Sequence, residues 1–302
     1  MAEMGWDKRY NRHWTGYNRE LVMRGTMLSD LSWVPHHRDE VAEMNRGKRG
    51  HPFSYGDTLI SAVSRLIAYT GMPYRMLEGF LLPIFELFGI DVPSYQTLWR
   101  RCNSREVSAG APADTRKRIA AGDSTGNKVT VRGGWMREKW KVHKGWLKLH
   151  FLTDVKTNEI LSFTVTDERS GDAKHLPGLV DSALADGHDI EKVLADGAYD
   201  TRDNWNGMKE REIEFVTNLR KNASTRSRGC MIRGAAVHRM NEIGNDVWKK
   251  ERGYNMRWKV ESAISDFKRM FGESVSSKTF ANMEKEIRRK VECFNLMKAV
   301  KV

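Results

Sequence analysis

Apolar residues between positions 57 and 101 recur at the spacing of α-helices. One stripe predicts a helix that ends at the breaker Gly71-Met-Pro73, and a second stripe continues to about Gly89. The first consists of Leu59, Ile60, Val63, Leu66 and Ile67, and the second of Met76, Leu77, Phe80 and Leu81. Pro93-Ser94 then opens a third helix over Tyr95–Arg101. This part of the chain is therefore expected to be a small all-α region.

The third helix of this region carries polar residues on part of its surface. It carries Gln96, Thr97, Arg100 and Arg101. Three short helices with a tight turn before an arginine-tipped last helix are typical of a helix-turn-helix that docks in DNA. The alternative is a helical bundle whose last helix is merely exposed.

After Pro112 the hydrophobic pattern changes from helical to strand spacing. Five short segments read as strands, with helices after the third and fourth and at the carboxyl end. The strands are Ile119–Thr125, Trp146–Thr153, Glu159–Thr166, Lys192–Ala195 and Ile213–Thr217, and the helices are Asp172–Ala185, Thr201–Arg211, 254–271 and 281–300. This order predicts an α/β fold with a mixed sheet flanked by helices.

These patterns divide the chain into three parts. Residues 1–50 form a polar segment, residues 51–112 the helical region, and residues 113–302 the α/β domain. The 302 residues are 40% hydrophobic, which is enough for a sizeable core. No run approaches the roughly 18 apolar residues of a membrane span, and no signal peptide is visible. Three scattered cysteines favour a reducing cytoplasmic setting.

The net charge of +12 is unevenly distributed. Residues 249–302 hold 14 basic and 7 acidic side chains, and residues 215–241 contain no acidic residue at all. The second stretch includes Arg220, Lys221, Arg226 and Arg228, and it reads as a basic, DNA-facing insertion. Such a distribution suits a polyanion whose phosphates Lys and Arg neutralise. The alternative is a solvated basic surface that aids solubility.

Two aspartates follow or end predicted buried strands. Asp123 lies in Gly-Asp-Ser-Thr-Gly126, and Asp196 lies in Leu-Ala-Asp-Gly-Ala-Tyr-Asp200. A carboxylate in such a place requires a turn amide, a cation or a metal to satisfy it. An Asx-turn explains each one taken alone.

The helix predicted over 254–271 carries a row of functional side chains. Tyr254, Arg257, Glu261 and Lys268 fall within an arc of roughly 60° on a helical wheel, beside the apolar face. Surface ion pairs are the alternative explanation for the row. Three carboxylates from two strands and one helix are able to hold two Mg²⁺ ions roughly 3.5–4 Å apart, the arrangement used for phosphodiester chemistry.

The spacing Tyr254-x2-Arg257-x3-Glu261-x6-Lys268 resembles the signature of insertion-sequence DDE transposases of the IS-four/IS-five grouping. Asp123 and Asp196 resemble the first two acidic residues of that family, and the similarity runs from about Ala120 to Ala299. One difference is the 64 residues between Asp196 and Glu261, more than a minimal fold of this type needs.

The resemblance implies a ribonuclease H-like catalytic domain. Asp123, Asp196 and Glu261 would be the catalytic metal ligands for two Mg²⁺ ions, with Mn²⁺ able to substitute. Tyr254, Arg257 and Lys268 would contact DNA or orient Glu261. The activity would be cleavage at the terminal inverted repeats of a mobile element and strand transfer into target DNA. A homodimer or larger synaptic complex, associated with a prokaryotic nucleoid, would carry it out.

Two other functions stay open at this point. A catalytically inactive relative that regulates the element would bind DNA without cutting it. A metal-dependent nuclease would cut DNA without joining it.

Overall fold

The computed structural model describes residues 14–105, 114–129, 138, 146–220 and 222–300. The chain divides into two compact units, one made of Met1–Arg105 with Leu296–Val302 and the other of Glu106–Asn295. Within the described residues, no helix combines the length and apolar character needed to cross a membrane.

The described part of the first unit is helical. Its helices are α1 (Trp14–Thr26), α2 (His37–Met44), α3 (Asp57–Thr70), α4 (Tyr74–Leu87) and α5 (Tyr95–Ser104). The apolar stripes of α3 and α4 meet in one core with Trp33 and with Leu98 of α5. The expected all-α region is therefore present. Residues 1–50, expected to be a polar segment, contain α1 and α2.

The connections between these helices differ from the helix-turn-helix expectation in one respect. The tight turn, residues 71–73, joins α3 to α4, whereas seven residues, 88–94, separate α4 from α5. A helix-turn-helix has its turn of about three or four residues directly before the recognition helix. Helix α5 is thus the exposed last helix of a three-helix group. The connection that leads into it is longer than the turn of that motif.

The second unit is built on a mixed sheet. Its strands are β1 (Arg118–Val129), β2 (Trp146–Asp154), β3 (Ile160–Asp167), β4 (Ile190–Ala195), β5 (Glu214–Thr217) and β6 (Ser274–Val275). The strand order is β3-β2-β1-β4-β5, and β6 pairs with the far end of β1. Strand β2 is antiparallel to both β1 and β3, while β4 and β6 pair in parallel with β1, and β5 pairs in parallel with β4. This is the ribonuclease H-like arrangement that the resemblance implies.

Helices cover the sheet, and in the sequence they lie between its later strands and after the last one. They are α6 (Leu176–Ala185), α7 (Arg202–Glu210), α8 (Met231–Ile243), α9 (Asn245–Glu251), α10 (Trp258–Phe271) and α11 (Phe280–Ala299). Phe267 of α10 packs against Phe151 of β2 with the two rings tilted by 59° and their centroids 5.4 Å apart. Phe151 is the antiparallel partner of Asp123, so both side chains point toward α10. The fold therefore places α10 over the face of β1 that carries Asp123.

Candidate functional site

The parallel register of β1 and β4 brings the two candidate aspartates side by side. Gly122 pairs with Ala195, so Asp123 and Asp196 occupy the next position on neighbouring strands. Adjacent strands lie about 4.8 Å apart. The sequence predicts that β1 ends at Thr125, but it continues to Val129 because its last residues pair with β6. Asp123 consequently lies within β1, at the point where its pairing with β4 stops.

Each aspartate accepts a backbone hydrogen bond near its own position. Oδ1 of Asp123 accepts from the amide of Ser124 at 2.8 Å, and Oδ1 of Asp196 accepts from the amide of Ala198 at 2.7 Å. The second bond caps a short 3-10 turn, Gly197–Tyr199. These bonds agree with the Asx-turn interpretation of each aspartate, and they engage one of the two oxygens of each carboxylate.

Glu261 enters the same site from the first turn of α10. The segment Tyr254–Arg257, which the sequence predicts as part of that helix, is a 3-10 turn, and α10 begins only at Trp258. Glu261 is 57% exposed, whereas Arg257 is 19% exposed. The Arg257 guanidinium contacts both Glu261 and Oδ2 of Asp123, the latter at 3.4 Å. Arg257 thus bridges two of the three candidate carboxylates.

The pKa of Asp123 depends on the charges of the two other carboxylates. Burial raises the pKa of Asp123 above its ordinary value, and the negative charges of Asp196 and Glu261 raise it further. The Ser124 amide and the charge of Arg257 oppose this shift. A site that repels its own negative charge in this way favours a cation.

Lys268 and Tyr254 lie on either side of this group. Lys268 lines a cleft of about 480 Å³ together with Asp123 and Glu261, and its Nζ is 3.8 Å from Oε1 of Glu273. Burial raises the pKa of the Tyr254 phenol, which also interacts with Arg257. The four residues of the predicted row are therefore all placed around the carboxylate group.

The donor chemistry fits a hard divalent cation, although the side chains are not arranged as a finished metal site. In the part of the chain that the structure describes, no three His, Cys, Asp or Glu side chains are close enough to hold an ion. A guanidinium cation bridges Asp123 and Glu261 instead. Oxygen ligands of this kind suit Mg²⁺. Asp123, Asp196 and Glu261 would hold it once their side chains turn toward one another.

The structure distributes the other predicted DNA contacts unevenly. Arg220, Arg226 and Arg228 are exposed, and Lys221 lies outside the described residues. On α5, Gln96 and Arg100 are exposed and Thr97 is half-buried, its amide bound to the Ser94 cap. These positions remain accessible for a DNA contact, although Thr97 is only partly so.

Arg101 is less accessible than Arg100. Its side chain is 12% exposed, and it donates to Oδ1 of Asp57 at 2.7 Å and to the Tyr55 carbonyl at 3.1 Å. The guanidinium also lies 4.8 Å from the centre of the Phe53 ring. These contacts within the first unit favour a structural role for Arg101 over a DNA contact.

Sequence reasoning missed Asp200, Arg202 and Arg233. Arg233 forms a two-point ion pair with Asp200, at 2.7 and 2.8 Å, and Asp200 also accepts from the indole of Trp205. The acid-free stretch signalled basic character, but only the tertiary structure joins it to Asp200 and Arg202.

Comparison with known proteins identifies the family of this chain. A family model described as Transposase DDE domain matches residues 114–296, more than half of the chain. A second model with the same description matches residues 23–132. The chain therefore belongs to the transposase DDE domain family.

Similar solved structures are distant in sequence. A chain of the simian T-cell lymphotropic virus intasome in complex with PP2A regulatory subunit B56 gamma is 13% identical, with 65% of each chain covered and a TM-score of 0.27. The Mos1 transposase paired-end complex with left transposon end is 9% identical, covering 74% of this chain and 82% of that chain, with a TM-score of 0.23. The Drosophila P element transposase strand transfer complex is 12% identical, covering 88% and 69%, with a TM-score of 0.32. This chain spans just under two thirds of the intasome chain, and family membership rests on the family model alone.

Proposed function

We propose that this chain is an active transposase that binds the terminal inverted repeats of a mobile element, cleaves them and transfers the strand to target DNA. The observation that supports the proposal is the meeting of Asp123, Asp196 and Glu261 at one sheet edge under α10. Two strands and a helix from distant parts of the sequence supply these carboxylates. A purely structural role does not require three carboxylates there.

The reaction consists of two phosphoryl transfers. In cleavage, a water oxygen attacks the phosphorus, the bond to the 3′-oxygen breaks, and that oxygen leaves as a 3′-hydroxyl. In strand transfer, this hydroxyl attacks a target phosphodiester and releases a target 3′-hydroxyl. When bound, a pair of Mg²⁺ ions activates the attacking oxygen and stabilises the leaving one.

The chain's own residues have separate tasks in this scheme. Asp123, Asp196 and Glu261 hold the metal ions, and Mn²⁺ is expected to substitute for Mg²⁺. Arg257 orients Glu261 and, once released from Asp123, pairs with a DNA phosphate. Lys268 binds a neighbouring phosphate in the cleft, and Tyr254 holds Arg257 in place.

The remaining contacts lie on two surfaces. Helix α5 contacts the bases or the phosphates of duplex DNA through Gln96, Thr97 and Arg100. The DNA backbone is bound by Arg220, Lys221, Arg226 and Arg228. Cleavage of both element ends requires at least two copies of the site, so we propose that the chain works as a homodimer or larger assembly.

The test uses supercoiled plasmid carrying the DNA that flanks this reading frame. Wild type and Glu261→Gln are incubated with Mg²⁺ or EDTA, and the DNA ends are mapped by sequencing. Glu273→Gln is the matched control, because Glu273 lines the same cleft and is as exposed as Glu261, at 58% against 57%, but lies outside the carboxylate group. Cuts at inverted repeats with joined products, present in wild type and Glu273→Gln and absent in Glu261→Gln, are expected.

Other outcomes point to other functions. DNA binding without cutting under any metal would indicate a regulator of the element. Cutting without joined products would indicate a nuclease. Unchanged cutting by Glu261→Gln would remove that residue from the metal site.

A further inference from the structure

Four arginines converge beside the carboxylate site in a pocket of about 400 Å³. They are Arg202 at the start of α7, Arg226 and Arg228 from the loop before α8, and Arg233 of α8. We refer to this as the arginine pocket. We propose that it binds a backbone phosphate of the DNA strand held at the active site, a proposal that rests on the proposed function.

The charge balance of the arginine pocket favours an anion. Asp200 is the carboxylate in its lining, and Arg233 neutralises it through the two-point ion pair. Among the described residues, no ion pair engages Arg202, Arg226 or Arg228. Three exposed arginines therefore line one small cavity without an ion-pair partner among the described residues, and a phosphate bound there would pair with them.

Helix α7 adds to this field. The helix has nine residues, and the Thr201 hydroxyl caps it by accepting from the Asn204 amide at 3.2 Å. Thr201 and Arg202 both line the pocket, so the amino end of α7 faces it. The partial positive charge of a helix amino terminus adds to the attraction of the three guanidiniums for an anion.

The loop that carries Arg226 and Arg228 is held in shape before any ligand binds. Arg228 has a positive φ of 42°, a conformation that is unfavourable for a residue with a side chain. The Cys230 amide donates to the Ser227 carbonyl at 2.7 Å, and Asn206 donates to the Gly229 carbonyl at 3.1 Å. These bonds fix both arginines at the pocket rim.

Close packing of the same loop on α8 gives a second constraint. A Cβ at Gly234 would lie 3.0 Å from the Thr225 carbonyl oxygen, so a larger residue would require the loop to move by a few tenths of an ångström. Strained and tightly packed loops of this kind are typical of ligand-binding positions. The pocket is therefore a built feature and not a chance grouping of exposed arginines.

The chain geometry limits how far the pocket is from the reaction centre. Asp200 is four residues after Asp196, and the 3-10 turn Gly197–Tyr199 joins them. Four residues span at most about 14 Å even when fully extended. Successive phosphates along one strand advance about 3.4 Å along the duplex axis. The bound phosphate is therefore expected within about four nucleotides of the scissile one.

The experiment measures binding without chemistry. Full-length protein carrying Glu261→Gln is titrated, in EDTA, onto fluorescein-labelled duplex from the flanks of the reading frame at several salt concentrations. The pocket variant is Arg226→Gln/Arg228→Gln. The matched control, Lys117→Gln/Lys156→Gln, removes two exposed charges at the amino end of β1, the opposite edge of the sheet.

The pocket variant should lower the slope of log affinity against log salt by about 0.9, since it loses one phosphate contact. The control should leave the slope unchanged. A slope change equal in both variants, or in neither, would overturn the proposal. Thermal melting of each variant verifies that folding is intact.

Methylphosphonate substitution locates the contact once the cleaved ends are mapped. One phosphate within about four nucleotides of the cut is expected to weaken binding about tenfold when its charge is removed, the effect of losing a charged hydrogen bond. The pocket variant should lose less than twofold from the same substitution. Sensitivity that is identical in both proteins would overturn the assignment.

Two further outcomes separate this inference from the proposed function and from a small-anion site. Mapped cuts and joined products, combined with an unchanged salt slope, would overturn the pocket alone. A reduced slope without any cleavage would overturn the transposase activity while supporting the DNA-binding pocket. Pyrophosphate binding that depends on the pocket arginines, with DNA binding unaffected, would show a site for a free phosphate compound and overturn the DNA proposal.

Discussion

Nη1 of Arg257 lies 3.4 Å from Oδ2 of Asp123, although 134 positions separate the two residues in sequence. The same guanidinium contacts Glu261 one helical turn further on. A positive side chain therefore contacts two of the three carboxylates that would hold the metal ions. We infer that metal binding requires Arg257 to release Asp123.

The first prediction concerns the competition between Arg257 and Mg²⁺. In EDTA, Arg257→Gln should lower the melting temperature by about 2–4 °C, corresponding to about 1 kcal/mol, because the carboxylates lose their compensating charge. Added Mg²⁺ should then raise the melting temperature of the variant more than that of wild type, since the ion no longer displaces a guanidinium. Calorimetry across a Mg²⁺ titration measures both effects.

Arg269→Gln serves as the control for this measurement. Arg269 lines the same cleft, but its side chain is 76% exposed and its ion pair is with Asp266. Such a surface pair contributes little. An identical Mg²⁺ response in wild type and Arg257→Gln would contradict the competition.

The second prediction concerns the dependence of stability on pH. Burial, together with the charge of His175, lowers the pKa of His150 from 6.5 to about 4. Between these values the unfolded chain binds a proton that the folded protein does not, so stability falls as the pH drops from 6.5 toward 4. The gap of about 2.5 pH units corresponds to about 3 kcal/mol.

His150→Gln should remove most of this loss. Urea unfolding at pH 7 and pH 4.5 gives the comparison, and the wild type should lose more stability than the variant between the two. Asp172, with Oδ1 3.3 Å from Nδ1 of His150, opposes the shift, and Lys148 contributes to it. His238 is exposed, so His238→Gln is the control and should keep the full pH dependence. Equal losses in wild type and His150→Gln would exclude His150 as the cause.

Much of the sheet could be predicted from the sequence because its signals are local. Alternating or continuous apolar runs bounded by turn residues mark β2 and β4, and the Asp-Gly dipeptide marks where β4 stops. The end of β1 could not be predicted, since Lys128 and Val129 are paired with β6, about 145 positions later. Helix α1 was missed because it buries no residue and so has no apolar stripe.

The candidate site follows the same division between local and tertiary information. The row from Tyr254 to Lys268 is a short-range spacing and is visible in the sequence. The 3-10 turn at the start of this row is not visible in the sequence, because it depends on how the turn after α9 packs against the sheet. Likewise, Arg100 and Arg101 differ by only one helical position. Which of them is exposed depends on where Asp57 lies in the folded unit.

The third prediction separates these two arginines. Arg101→Gln should cost about 1–3 kcal/mol of stability, since it removes a charged hydrogen bond and an aromatic contact. It should leave the salt dependence of DNA binding unchanged. Arg100→Gln should change stability by less than about 0.5 kcal/mol and lower the salt slope by about 1.

Chemical denaturation and the fluorescein-labelled duplex assay measure the two properties on the same samples. The two variants are controls for each other, because each removes one positive charge from the same helix. A loss of DNA affinity in Arg101→Gln at intact stability would restore that residue to the DNA surface. A stable Arg101→Gln would mean that its contacts with Asp57 and Tyr55 carry no net energy.

The last prediction concerns the glycine that closes the Asp-Ser-Thr-Gly segment. A Cβ at Gly126 would lie 2.7 Å from the Trp146 ring on the neighbouring strand, a distance that forces the strands or the ring to move. Gly126→Ala should therefore destabilise the protein by about 1–3 kcal/mol. Because β1 also carries Asp123, cleavage should fall more steeply than the folded fraction.

A matched glycine and a rescue make this test specific. Gly178 on α6 has open space at its Cβ position, so Gly178→Ala should raise stability by about 0.5–1 kcal/mol. Trp146→Leu removes the obstructing ring, and combining it with Gly126→Ala should cost less than the two single changes together. Strict additivity of the two losses would mean that the Gly126–Trp146 contact is not the cause. The position of Asp123 would then not depend on how Trp146 packs on β1.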